Sequence, residues 1–224
     1  MNPLLVVGHI AVVLLLVVIV FQLNTLNTSL TEGVVAAPVG DAPTPTAAPP
    51  TPTQEPSAPT IDAATLESLV VDARAKGDED APVTIVEWAD FACGFCGRHF
   101  ENTKPQIEEN YIDSGDVRYV YKFAPVVGGQ KSAEAAACAA DQGLFWESHD
   151  LIFSNNAGRA TVAELKTLHS QISGLDQAAF DACLDAEEKA DVVAADFAQA
   201  RQFGFRGTPF FLVGENTVAG AQPY

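Results

Sequence analysis

Eight prolines lie between Pro38 and Pro59, in a stretch of Pro, Ala and Thr that offers almost nothing to bury. Such a segment favours extended polyproline geometry and stays out of a packed core. It therefore separates two polypeptides of different character. On its N-terminal side, Leu4 to Phe21 is apolar apart from Gly8 and His9, and these 18 residues, at about 1.5 Å each, come close to the roughly 30 Å of a bilayer core. The competing reading is a cleaved signal peptide, since Ile10 to Phe21 is of h-region length. Two features weigh against cleavage. No basic side chain precedes the apolar run, and the first small-residue pattern, Val34-Val35-Ala36, follows it by more than a dozen residues. A lipoprotein anchor is excluded, because no cysteine precedes Cys93. The chain thus reads as a membrane anchor over 1–23, a Pro/Thr/Ala-rich tether over 24–61 and a folded domain over 62–224.

The domain is of a size that one hydrophobic core can support. Across the chain 29 acidic side chains face 12 basic ones, for a net charge of -17. That is the wrong sign for a nucleic-acid binder, which needs a basic face to displace counterions from phosphate. Four cysteines are too few to staple a domain of this size, yet their even number leaves room for two pairs.

Along the domain, Val83 to Trp88 is a β-like run, followed by Cys93-Gly94-Phe95-Cys96 and a helical stretch towards Ile112 with a kink expected at Pro105. A second strand is expected over Val117 to Phe123. An α-rich block follows, over Gln130–Gln142, Leu144–Phe153, a helix opened by Thr161 with Glu164 completing a capping box, Gln177–Leu184 and Glu187–Phe203. Phe210–Val213 is a last apolar strand, and Thr217-Val218-Ala219 can pair back on it across Gly214-Glu215-Asn216.

The two cysteines of Cys93-Gly94-Phe95-Cys96 stand where strand gives way to helix, so unpaired NH groups and the positive dipole end face the first sulfur. That position favours a thiolate at Cys93 and places Cys96 one turn inside as the resolving thiol. The pair is also half of a zinc site, but zinc needs two more ligands at matching spacing. Cys138 and Cys183 are single cysteines in separate helices, and His99 has no partner histidine nearby. His149 and Trp146 read as packing residues.

Three further segments resemble one family. Ala81 to Trp88 with Asp90-Phe91 is similar to its entry strand and approach to the active site. Cys138 to Asp150 is similar to the start of its inserted helices, and Gly204-Phe205-Arg206-Gly207-Thr208-Pro209 resembles the loop carrying its cis-proline. From about Gly77 onward the domain is identified as a member of the DsbA-like thiol-disulfide oxidoreductases, in a membrane-tethered form. The resemblance implies an α/β, thioredoxin-like fold with an inserted α-helical block. It implies that Cys93 and Cys96 are catalytic, that Glu87 is a buried acid exchanging protons with Cys96, and that Thr208 and a cis Pro209 pair with substrate. From the residues alone, Glu87 could equally face water at a strand end. Cys138 and Cys183 resemble a second, structural pair; the alternative is two buried free thiols acting as small apolar side chains.

The implied activity is that of an extracytoplasmic oxidase, monomeric and without a cofactor or metal, donating the Cys93–Cys96 disulfide to reduced exported proteins. Reoxidation would come from a quinone-linked membrane protein of the DsbB or vitamin K epoxide reductase type. The alternatives are an isomerase or reductase, or an anchored module that holds a metal or partner without turnover. Two departures stand out: Gly94 occupies a position where the family often has proline, and the chain stops at Gly220-Ala221-Gln222-Pro223-Tyr224, a stretch that resembles the lead-in to a final helix. A domain lacking that helix is therefore expected.

Overall fold

The computed structural model describes residues 61–70 and 74–224. The expected anchor, and the expected tether up to residue 60, lie outside the described residues. Among the described residues no helix is long and apolar enough to cross a membrane.

Asp62 accepts a hydrogen bond from the Thr65 amide at 2.8 Å and caps a short helix, Ala63–Leu69 (α1). A two-residue strand, Ala75–Lys76 (β1), follows. Neither was expected, because seven and two residues carry too little periodicity to register. The β-like run forms Val83–Ala89 (β2). The helical stretch after the CxxC is broken: Gly94–Asn102 (α2) ends at Thr103, and Pro105 sits in the first turn of Lys104–Ile107 (α3), which continues as a π-helical turn, Glu108–Ile112. The break follows from Pro105, which has no NH to return to the preceding turn. Val117–Phe123 (β3) lies where expected.

The helical block comprises Gln130–Ala140 (α4), Phe145–Ser154 (α5), a 3₁₀ turn at Ala157–Arg159, Val162–His169 (α6) and Gln177–Asp185 (α7). Thr161 and Glu164 form the capping box of α6. Ala190–Gln202 (α8) leads back to Phe210–Val213 (β4) and Asn216–Ala219 (β5). The sheet runs β1-β3-β2-β4-β5, with β2 and β3 parallel and the other neighbours antiparallel.

Central strands with both faces covered are largely apolar, and alternation decides which helix each side chain meets. Val86 and Trp88 of β2 join Val120, Phe203 and Leu212 beneath α1 and α8. Ala89 joins Tyr121 and Phe123 on the opposite face, with Phe145 and Phe153 of the insert and Cys96 of α2. The α8 side is tied down by a buried ion cluster. Asp196 accepts from Lys122 Nζ at 3.2 Å, from the Phe123 amide at 3.1 Å and from Arg74, so both carboxylate oxygens are satisfied.

Candidate active site

Strand β2 delivers its chain to the site through a turn organised by Asp90. This buried carboxylate accepts from the Ala92 amide at 2.8 Å and from the Val127 amide at 2.6 Å, while the Asp90 carbonyl accepts from the Cys93 amide at 2.9 Å. The turn sets Cys93 at the N-cap of α2, with extended backbone (φ -87°, ψ 117°) and its sulfur partly exposed. Cys96, one turn in, is 1% exposed. Both are unbonded thiols.

Their environments drive the two sulfurs apart. Cys93 is lowered to about 5, chiefly by a hydrogen bond from the Cys96 thiol, then by Thr208 and the amides of Cys96 and Phe95, against the opposing effect of burial. The helix N-terminus anticipated from sequence is present, but the Cys96 thiol outweighs it. The Thr208 carbonyl lies 3.4 Å from Cys93 Sγ, where it accepts from the thiol. The Thr208 hydroxyl is buried with no partner and is the group free to turn its proton to the thiolate. Cys96 is pushed far up, first by burial, then by its bond to Cys93 and by the Glu87 carboxylate.

Glu87 is buried in the middle of the sheet, not facing water at a strand end. Tyr119 Oη donates to Glu87 Oε2 at 2.7 Å, and His99 Nε2 lies 3.1 Å from the same hydroxyl. Because the tyrosine spends its proton on the carboxylate, the tautomer that satisfies both bonds has His99 donating from Nε2. Burial lowers the His99 pKa and keeps the ring neutral. Sequence reasoning missed Tyr119 and gave His99 no role. The available signal was the three-residue spacing of Cys96 and His99, which puts both on the buried face of α2.

Thr208 and Pro209 close the site from the β4 side, joined by a cis peptide bond. The insert closes it from the other. A Cβ at Gly158 would stand 2.1 Å from the Phe91 carbonyl oxygen, and one at Gly129 2.1 Å from Asp90 Oδ1, so both glycines admit a close approach that no side chain permits. His149 is buried among Phe91, Phe100, Tyr121 and Phe153, with Nδ1 2.7 Å from Asp150 Oδ1, and Trp146 donates to the Ala75 carbonyl at 3.1 Å. Cys138 of α4 and Cys183 of α7 are joined as a disulfide with a sequence separation of 45, apart from the CxxC, in a cluster with Leu165, Phe180 and Leu184. Among the described residues no group of three or more His, Cys, Asp or Glu side chains is arranged to hold a metal.

The family described as Thioredoxin matches residues 70–224. The chain belongs to the thioredoxin family. Its fold is the α/β, thioredoxin-like one with a helical block inserted between β3 and β4. The Na(+)/H(+) antiporter NhaA 3 of Salinispora tropica is 35% identical over 142 residues, covering 62% of this chain and 21% of the relative. The chain thus spans about a fifth of the length of such antiporter relatives. Disulfide bond formation protein D of Bacillus subtilis is 27% identical over 158 residues, covering 66% of this chain and 70% of its own. The crystal structure of oxidised BdbD from Bacillus subtilis aligns with a TM-score of 0.57 at 25% identity, over 66% of this chain and 85% of that one. Within this thioredoxin-family domain, the CxxC, the buried Glu87 and the cis Thr208–Pro209 loop converge on one site.

Proposed function

We propose that the chain is an extracytoplasmic thiol-disulfide oxidoreductase, held at a membrane by residues 1–23, that oxidises exported proteins. The single observation that carries the reading is the division between Cys93, partly exposed and lowered to about 5, and Cys96, buried and raised. A stable thiolate is a good leaving group, so this split favours the reduced protein and makes its disulfide oxidising.

In the oxidised protein a client thiolate attacks Cys93 Sγ. The Cys93–Cys96 bond breaks, its electron pair goes to Cys96, and Glu87 supplies the proton that the buried sulfur takes up. A second client thiolate then attacks the client sulfur of the mixed disulfide, and Cys93 departs as a thiolate. The client has lost two electrons to the two cysteines and two protons to water, while the proton on Cys96 has come from Glu87, which is left as a carboxylate. Thr208 and Pro209 present the backbone edge beside Cys93 along which an extended client pairs. The reduced protein is returned to the disulfide by a quinone-linked membrane partner of the DsbB or vitamin K epoxide reductase type, and the tether raises its local concentration there. The Cys138–Cys183 bond takes no part in turnover.

The test is a stoichiometric transfer. Oxidised protein mixed with a reduced two-cysteine peptide should give one peptide disulfide per protein and free thiols at Cys93 and Cys96. A module that only holds a metal or partner would leave the peptide reduced.

A further inference from the structure

Arg98 and Arg159 carry positive charge beside Cys93 that no ion pair absorbs. Every lysine of the chain meets a carboxylate, and so does Arg74. With 29 acidic side chains against 12 basic ones, carboxylates are plentiful, so a guanidinium without one marks a surface from which the fold keeps its own acids away. Arg98, Arg159 and Arg206 are exposed and meet no carboxylate among the described residues. Arg201, also without an ion pair, lies over the Phe197 ring at 4.2 Å.

Arg98 and Arg159 line one cavity of about 290 Å³ that opens beside Cys93, between α2 and the insert, with Phe91, Gly97 and Phe153 among its walls. Both arginines are placed by fixed contacts. The Arg98 guanidinium stands 4.9 Å over the Phe95 ring and donates to the Ala221 carbonyl at 3.0 Å. Arg159 follows Gly158, which is pressed against Phe91, and a Cβ at Gly128 would come within 2.6 Å of Arg159 Nη1. These contacts leave most of the donors on each guanidinium unused. Among the described residues Glu101 is the only carboxylate on the cavity lining and pairs with neither arginine, so in the oxidised protein, where Cys93 carries no charge, two positive charges against one negative leave the lining net positive.

We propose that this cleft receives an acidic side chain of the client, an Asp or Glu a few residues from the reacting cysteine, so that the substrate class is polypeptides with an acidic flank beside a cysteine. The substrate assignment rests on the oxidoreductase reading; the charge of the cleft does not. A carboxylate entering here meets the forked donors of Arg98 and Arg159, while Phe91 and Phe153 cover its methylenes. The net charge of -17 repels an acidic polypeptide from the molecule as a whole, so a preference for acidic flanks has to arise locally.

The experiment uses the full chain and three reduced two-cysteine peptides, identical except for Glu, Gln or Lys at the flanking position. The Glu peptide should be oxidised with a kcat/KM about fivefold above the Gln peptide, the Lys peptide being slowest. Arg98→Gln combined with Arg159→Gln should level the three, and Arg159→Glu should invert the order, which a merely structural role would not do. Equal kcat/KM values in the native protein, or a preference that survives the double substitution, overturn the proposal. A parallel arm measures binding of the same peptides with serine in place of cysteine, by fluorescence anisotropy. If no peptide is oxidised but the Glu peptide still binds about fivefold tighter through the two arginines, the oxidoreductase reading fails and the acidic cleft stands. If all are oxidised alike and bind alike, the cleft fails and the oxidoreductase reading stands.

Discussion

The molecule contains two cysteine pairs that differ in almost everything except the element involved. Cys93 and Cys96 are one helical turn apart, one sulfur open to solvent and the other buried, in an environment that lowers the first and raises the second. Cys138 and Cys183 come from two helices of the insert, and both lie buried in an apolar cluster with Leu165, Phe180 and Leu184. Reactivity follows from inequality within a pair. A client thiolate needs a sulfur that it can reach and that later departs as a stable thiolate, beside a partner sulfur that stays buried and protonated, and only the pair at the start of α2 offers that division. The insert pair is shielded on both sides, and its contribution is to hold α4 against α7 by constraining the unfolded chain.

The sharpest way to break this comparison is to exchange the losses. Cys93→Ser should lower peptide oxidation by about a thousandfold or more. Replacing Cys138 and Cys183 together by alanine should leave the oxidation rate within about twofold but remove about 4 kcal/mol of stability, the closure entropy of a 45-residue loop. Comparable activity losses in the two variants would erase the distinction. A smaller effect tests the other side of the sheet. Asp196→Asn strips Lys122 and Arg74 of their shared carboxylate, leaving buried cations, and should cost about 3 kcal/mol in urea unfolding without altering the titration of Cys93. Smaller again is Gly158→Ala, whose Cβ must displace the Phe91 carbonyl. It should cost about 1–3 kcal/mol and slow peptide oxidation, since the displaced segment leads directly into Cys93.

Much of this was legible in the residues. The apolar run Val83–Trp88, the CxxC at its end and the Thr161–Glu164 capping box carry local signals, and they lie where expected. The resemblance supplied the cis Thr208–Pro209 loop and the pairing of Cys138 with Cys183, which no spacing rule could have chosen. What the sequence hid is what the sheet assembles. Tyr119 reads as one more aromatic in an apolar strand, and only the parallel pairing of β2 with β3, with Ile85 opposite Tyr119, places its hydroxyl beside Glu87. Arg159 was invisible as a site residue because it reaches the cleft only through the close packing of Gly158 on Phe91. The weight of the Cys96 thiol in stabilising the Cys93 thiolate likewise depends on side-chain geometry, whereas the helix N-terminus could be read from the pattern.

The central claim is that Cys93 is the accessible, thiolate-forming sulfur, and a pH titration of the reduced protein tests it most directly. Thiolate absorbance and the alkylation rate should rise together in one step near pH 5 and report Cys93 alone. Because the folded value lies below the roughly 8.5 of a free thiol, the Cys93 thiolate stabilises the folded reduced protein against unfolding, fully above that value. This contribution is lost as pH falls through about 5. In Cys96→Ala the step should move upward, since the largest stabilising partner is gone, yet Cys93 should still be the residue alkylated. A first step at the position of an ordinary thiol, or alkylation of Cys96 ahead of Cys93, would contradict the account.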